Sequence, residues 1–149
     1  MSHVARSAVL VPAALVMLAA CAGESDGGIT RDTRPFSGIG EGEVIEVSGT
    51  EPFWGMTIDQ AEGMAAYSTP DNIDGERFGV ERFAGNNGLG FTGALESGAG
   101  VTVTITPGEC SDGMSDFSYP FTATAEVGER DLRGCAFTDR QGREGPAAS

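Results

Sequence analysis

The sequence predicts an all-β fold, either a small antiparallel meander barrel of about eight strands or a two-sheet sandwich, closed by one disulfide. After Glu43, apolar side chains alternate with polar ones at a period of two residues over most of the chain, which is typical of half-buried strands. Clusters of Gly, Asn, Asp and Pro separate these runs about every ten residues. Glycine is abundant, at 23 of 149 residues, and no segment shows helical periodicity.

The alternation is clearest in three segments, where a row of apolar side chains faces one way and small or polar ones face the other. These rows are Trp54, Met56 and Ile58; Val101, Val103 and Ile105; and Phe121, Ala123, Ala125 and Val127. Weaker runs cover residues 43–48, 63–69, 77–83, 88–95 and 131–137. A barrel of eight strands is filled by side chains or holds one small ligand, and we expect a filled interior. The expected interior side chains are Trp54, Met56, Ile58, Leu89, Phe91, Val103, Ile105, Phe121 and Ala123.

Residues 1–20 have the form of a bacterial lipoprotein signal peptide. Arg6 precedes an apolar run over residues 8–18, which Pro12 interrupts and which is shorter than the roughly 20 residues that span a bilayer. The tetrapeptide that ends at Cys21, Leu-Ala-Ala-Cys, resembles the lipobox of bacterial lipoproteins. This resemblance implies cleavage before Cys21, a diacylglycerol on the Cys21 sulfur and a further acyl chain, such as palmitate, on its amino group.

The predicted anchor also gives the chain an address. Two acyl chains hold a protein stably on a membrane, so the lipidated chain is expected to stay in the cell envelope. The residue after the lipidated cysteine is Ala22 and not Asp. By the sorting habit of enterobacterial lipoproteins, this implies the outer membrane, facing the periplasm.

The remainder of the chain divides into three parts. Residues 21–42, the lipidated cysteine and a segment rich in Gly, Ser and Asp, predict a flexible tether, with Phe36 and Ile39 as candidates for contact with the domain. The β domain is expected over residues 43–138. A disordered tail is expected over residues 139–149.

Charge is the strongest signal in the composition. The formal net charge is −13, and loss of Arg6 with the signal peptide leaves 8 arginines against 22 acidic side chains, a balance of −14. Such a field repels nucleic acid and anionic membrane surfaces, so nucleic-acid binding is excluded. The charge favours a soluble, monomeric domain, and it also suits a basic protein partner or a divalent cation.

The lack of basic side chains removes much catalytic chemistry. The chain has no lysine, and its only histidine, His3, lies in the predicted signal peptide. The mature domain therefore has no Ser-His, Cys-His or Ser-Lys mechanism and no histidine zinc site. A carboxylate pair could still act as acid and base, but no pair stands out. The sequence predicts a protein without catalytic residues, metal or cofactor, and not an enzyme.

Two cysteines, Cys110 and Cys135, remain once Cys21 carries lipid. In an exported protein such a pair is most simply a disulfide, which would stabilise the fold by about 3.5 kcal/mol in the chain-entropy account. The loop after strand six and the end of strand eight of a meander lie at the same barrel end, which suits this pairing. A redox pair and free thiols are the alternatives.

Three segments interrupt the alternating background. They are Gly-Thr-Glu-Pro-Phe-Trp at 49–54, Cys-Ser-Asp-Gly-Met-Ser-Asp at 110–116 with Tyr-Pro-Phe at 119–121, and Gly-Cys-Ala at 134–136. Together they resemble a family of uncharacterised bacterial lipoproteins and predicted membrane proteins, which implies an envelope protein of unassigned activity. Members of that family usually carry a basic residue after the second Asp of the long segment, where this chain has Phe117.

The candidate partner-binding residues are Asp112, Met114, Asp116 and Trp54. Two carboxylates fall short of a calcium loop, and the Asp-Gly pair also suits a tight turn with positive φ at Gly113. We expect Trp54 to be buried, the loop to lie beside the disulfide, and replacement of both aspartates by asparagine to leave the melting temperature nearly unchanged. The first two marked segments follow an odd and an even strand, so opposite barrel ends are expected for them.

Three functions are compatible with these observations. The first is a non-catalytic binding or structural domain of the envelope. The second is an inhibitor of a basic secreted enzyme, similar in size and charge to lipid-anchored lysozyme inhibitors. The third is a lipocalin-like carrier of a small apolar ligand. An empty barrel would favour the carrier, whereas a packed core with an acidic exposed loop would favour the inhibitor.

Overall fold

The structure of the protein, a computed structural model, describes residues 33–145. The predicted signal peptide, Cys21 and most of the predicted tether lie outside the described residues, as do residues 146–149. Within residues 33–145, no helix is long and apolar enough to cross a membrane.

Eight antiparallel strands close into a barrel in chain order, in which each strand pairs with its sequence neighbours and the last pairs with the first. The strands are β1 (Val44–Thr50), β2 (Phe53–Asp59), β3 (Met64–Thr69), β4 (Asn72–Ala84), β5 (Leu89–Ala94), β6 (Gly100–Ser111), β7 (Ser118–Val127) and β8 (Arg130–Thr138). The predicted all-β fold is confirmed, and closure decides for the meander barrel over the sandwich. Closure also removes the free sheet edges that could pair with other chains.

Side chains fill the barrel interior as the alternation predicts. All nine side chains expected inside are buried, with exposed fractions between 0 and 5%. Alanines on β7 face bulkier side chains of neighbouring strands, so that small and large residues share the space. Burial of each large side chain stabilises the fold by roughly 1.5–3 kcal/mol, which makes the packed interior the main source of stability.

The folded unit begins before Glu43, which corrects the predicted boundary of the tether. Ile39 is only 1% exposed and belongs to the core, and the Phe36 N–H donates to the carbonyl of Gly85 at 2.6 Å. Gln60, after β2, donates to the carbonyl of Gly40 at 2.9 Å. The two apolar side chains therefore close one barrel end, since their burial outweighs the flexibility of the surrounding segment.

Residues 139–145 also belong to the folded unit, so the predicted disordered tail is wrong for this part. Glu144 and Ser118 form an antiparallel bridge in which both N···O distances are 2.8 Å. The Gln141 side chain donates to the carbonyl of Gly38 at 2.7 Å. Backbone pairing and a side-chain contact thus hold this segment against the barrel, although its composition alone does not predict an ordered structure.

A buried carboxylate joins the two ends of the folded chain. Glu43 is 6% exposed and accepts hydrogen bonds from the Thr138 hydroxyl at 2.5 Å, the Gly40 N–H at 2.8 Å and the Gln141 amide at 3.3 Å. Burial by itself raises the pKa of Glu43, but these donors and the positive charge of Arg140 lower the pKa below its ordinary value. The carboxylate is therefore ionised and stabilises this barrel end.

Candidate functional site

The β6–β7 hairpin ends in a segment, residues 108–119, called the hairpin tip here. The strand register shifts where the tip begins, and Cys110 forms a disulfide with Cys135 on β8, with Cα atoms 5.6 Å apart. Strands two positions apart lie about 10 Å from each other, and β7 separates β6 from β8. The ring of Tyr119 also lies 6.1 Å from that of Phe137 on β8. The tip therefore folds over the outside of β8, and the predicted disulfide is confirmed.

The hairpin tip brings the first two marked segments together. The Thr50 hydroxyl, at the end of β1, donates to the backbone carbonyl of Asp112 at 3.1 Å. The prediction that these segments lie at opposite barrel ends is wrong. The strand count behind it is right, but the tip bends back along the outside of the barrel and reaches the end of β1.

Asp112 organises the loop within the hairpin tip. Its carboxylate accepts hydrogen bonds from the Ser115 hydroxyl and N–H, both at 2.7 Å, and from the Met114 N–H and the Tyr119 hydroxyl, both at 3.0 Å. These donors, Ser115 first, hold the pKa of Asp112 well below its ordinary range. Gly113 has a φ of 71°, which confirms the predicted turn. The loop thus has a fixed shape that leaves Met114 outside.

Trp54 is buried, as predicted, and it links three strands. Its indole N–H donates to the backbone carbonyl of Arg133 on β8 at 3.1 Å, although β1 lies between β2 and β8. A Cβ atom at Gly49 on β1 would overlap the indole nitrogen and that carbonyl. Gly49 is therefore required by Trp54, because the indole ring crosses β1 at the position where Gly49 has no side chain.

An open groove of about 500 Å³ lies on the outside of the barrel between the hairpin tip and the β3–β4 turn. Its floor is a row of small residues on three adjacent strands, in which Ser48 pairs with Gly55 and Gly55 pairs with Ser68. The same row continues on β8 with Cys135, the partner of Ser48. The disulfide therefore places the hairpin tip directly beside the groove floor.

Exposed apolar side chains form the walls of this groove. Within residues 33–145, four large apolar side chains are exposed, namely Phe53 (55%), Ile73 (83%), Phe83 (70%) and Met114 (69%). Three of them, Phe53, Ile73 and Met114, line the groove, and Phe83 does not. Single exposed apolar residues are common, whereas a cluster of them marks an interaction site.

Three acidic residues lie one or two positions along the chain from residues that line the groove. Glu51 precedes Phe53 in the β1–β2 turn, Asp74 follows Ile73, and Asp116 lies in the hairpin tip. All three are exposed, and none forms an ion pair or side-chain hydrogen bond with the described residues. Their charges are therefore free to act on a partner.

Arg143 is the cation that lines the groove. Its guanidinium lies 4.3 Å from the ring centroid of Phe117 and 5.6 Å from that of Phe137, which are cation–π distances. The C-terminal segment therefore brings a positive charge to the hairpin tip.

The structure brings together three of the four predicted partner-binding residues. Asp112, Met114 and Trp54 all line the groove, whereas Asp116 is exposed in the same loop without lining it. Asp112 and Trp54 mainly hold the site in shape, through the contacts described above. Met114 is 69% exposed, so most of its side chain is available to a partner.

Three residues that line the groove are not predicted as site residues from the sequence. Phe53 adjoins a core position but faces outward, Ile73 lies among turn-forming residues, and Arg143 lies in the predicted tail. An isolated isoleucine within the run Pro-Asp-Asn-Ile-Asp is the one local signal, because that apolar residue has no role in the turn.

The fold and the groove define a closed, eight-stranded antiparallel barrel with a disulfide-held hairpin folded over its outer wall. Within residues 33–145, no group of three or more His, Cys, Asp or Glu side chains could hold a metal ion. Comparisons of the chain with known protein families, curated proteins and solved structures found no match. Its assignment to a class therefore rests on the fold and the motifs themselves.

Proposed function

We propose that this chain is a cell-envelope lipoprotein, anchored to the outer membrane through Cys21, whose barrel is a non-catalytic binding domain for a protein partner. The groove carries the proposal, because three exposed apolar side chains surround a floor of small residues there. Such clusters are rare on monomeric proteins unless they bind something. The disulfide that holds one wall of the groove suits an exported protein.

The chemistry of the groove supports binding rather than catalysis. The chain has no lysine, and its histidine lies in the predicted signal peptide. The Asp112 carboxylate already accepts four hydrogen bonds from its own loop. It is therefore saturated and is a poor candidate for a proton-transfer group.

A photo-crosslinking experiment in cells tests the binding function. A benzophenone amino acid at position 73, on the groove wall, is expected to give a defined protein adduct. The matched control is the same amino acid at position 83, where the native side chain is also largely exposed but lies outside the groove. Equal adducts at both positions, or none at position 73, would contradict the proposal.

The anchor is tested separately with Cys21→Ser. Loss of the lipidated sulfur should release the protein from membranes and abolish incorporation of labelled palmitate. Firm membrane association of this variant would contradict the lipoprotein assignment.

Among the alternatives, the inhibitor of a basic secreted enzyme has more support than the carrier. Exposed acidic side chains in and near a rigid exposed loop match a basic enzyme. By contrast, the lipocalin-like carrier needs interior space, and the inward positions of this barrel hold packed side chains. The inhibitor is therefore the second candidate, and its partner would use the same groove.

A further inference from the structure

We infer that the groove receives a protein segment that presents one large apolar side chain flanked by arginine or lysine. This inference rests on the proposed binding function and adds the chemistry of the partner. Three properties of the groove carry it, namely its shape, its rigidity and its charge.

The shape suits one anchoring side chain. Ser48, Gly55 and Ser68 leave the floor low, whereas Phe53 and Met114 rise on its walls. The volume of about 500 Å³ exceeds that of any single side chain and is within the usual range of binding sites. Aromatic and other large apolar side chains are the usual anchors in such depressions.

The walls are held in place before any partner arrives. The Asp112 hydrogen bonds fix the loop that carries Met114, and the disulfide fixes the hairpin tip to β8. Phe53 follows directly on the β1–β2 turn and precedes the buried Trp54. Little conformational entropy is therefore lost on binding, which favours affinity. The Met114 side chain itself is flexible and can adapt to the shape of the anchor.

The charge selects the residues beside the anchor. Glu51, Asp74 and Asp116 lie one or two positions along the chain from groove residues and have no ion-pair partner within residues 33–145, and the whole chain carries a net charge of −13. The cation on the groove wall, Arg143, already lies over two aromatic rings. Basic residues of a partner would therefore meet free carboxylates, and they would raise the rate of association in dilute salt.

Other occupants fit this charge less well. A membrane with anionic headgroups would face carboxylates of the same sign. A second copy, docked by twofold symmetry, would bring the same acidic turns against each other. A basic protein segment avoids both conflicts.

The probe is a fluorescent nine-residue peptide with a central tryptophan flanked by arginines. The full lipoprotein, held in phosphatidylcholine nanodiscs, should bind it, whereas empty nanodiscs and peptides with Ala for Trp or Glu for Arg should show little binding. Phe53→Ser combined with Met114→Ser should raise Kd by about tenfold or more, while Phe83→Ser should change it less than about twofold. Glu51→Gln with Asp74→Asn should weaken binding and reduce its salt dependence.

Equal loss of binding in the Phe83→Ser variant would overturn the inference, as would equal binding of the Ala-for-Trp peptide. Self-association of the lipoprotein that depends on Phe53 would overturn the inference in favour of a second copy. Binding of the nanodisc-held lipoprotein to further, protein-free nanodiscs that depends on Phe53 would overturn it in favour of a lipid surface. Persistent crosslinks from position 73 without peptide binding would reject the basic anchor and leave the binding function standing. Loss of both would reject the two proposals together.

Discussion

The two ends of the barrel differ in which groups they bury and which they leave exposed to water. At the end where β1 begins, Ile39 closes the interior, and the buried Glu43 carboxylate accepts hydrogen bonds from Gly40, Thr138 and Gln141. At the end where β1 finishes, the turns beside the groove leave Phe53 and Ile73 in water, with unpaired carboxylates next to them. Polar groups are satisfied at the first end, and apolar groups are left exposed at the second.

This contrast separates stability from function. Backbone and side-chain partners that close the first end satisfy its buried polar groups. The second end keeps apolar surface exposed at a cost in solvation, and it supports that surface with a disulfide and a saturated loop. Binding residues commonly lie on loops that a rigid scaffold positions, and the proposed binding residues lie at one end of this barrel.

The largest expected effect is at the interior beneath the groove. Trp54→Ala should lower the free energy of unfolding by about 4 kcal/mol, because it leaves a cavity and removes the hydrogen bond to the Arg133 carbonyl. Urea denaturation monitored by circular dichroism measures this change. Phe83→Ala, at an exposed site, should change it by less than about 0.5 kcal/mol, and similar losses in both would contradict the account.

Removal of the disulfide should have the next largest effect and should be uneven. Cys110→Ala with Cys135→Ala should cost about 3.5 kcal/mol, with faster hydrogen exchange mainly in the hairpin tip and at the groove. Amides around Ile39 and Glu43 should lose only as much exchange protection as the lower free energy of global unfolding accounts for. A uniform loss along the chain would show that the two ends are not independent.

Acid should act on both ends. Glu43 and Asp112 have lowered pKa values in the folded protein, so the unfolded chain binds protons more readily than the folded one. Their stabilisation is present above their unfolded pKa values of about 4 and is lost as pH falls below them. The melting temperature should be nearly constant from pH 7 to 5 and then fall, as calorimetry would record.

Glu43→Gln should remove part of this acid dependence. The matched control is Glu81→Gln, an exposed position on β4 without a side-chain partner among the described residues. An unchanged pH profile for Glu43→Gln would mean that its buried carboxylate contributes nothing to the closed end.

The smallest effect distinguishes the two aspartates of the hairpin tip. Asp112→Asn should accelerate amide exchange at Met114 and Ser115, because it weakens acceptors for their N–H groups. Asp116→Asn should leave both rates unchanged. The sequence predicts a nearly neutral double variant, and the structure restricts that expectation to Asp116. Equal effects of the two substitutions would contradict this division.

Sequence periodicity was sufficient for the parts that repeat. Val103 and Ile105 follow the period of a strand, so their burial could be predicted, and Cys110 and Cys135 could be paired by elimination. The docking of Ile39 depends on a space at a barrel end that exists only after closure. The groove depends on the bend of the hairpin tip, which no local pattern encodes, so the meeting of Ile73 with the tip could not be foreseen.

The most direct test of the central claim is the crosslink from position 73 in cells, measured with and without the disulfide. If the stapled hairpin tip builds the binding groove, the adduct should form in the otherwise native chain and should be lost in Cys110→Ala with Cys135→Ala, while the protein stays membrane-bound. Position 83 should give no adduct in either background. An adduct from position 73 that persists at full yield without the disulfide would contradict the claim.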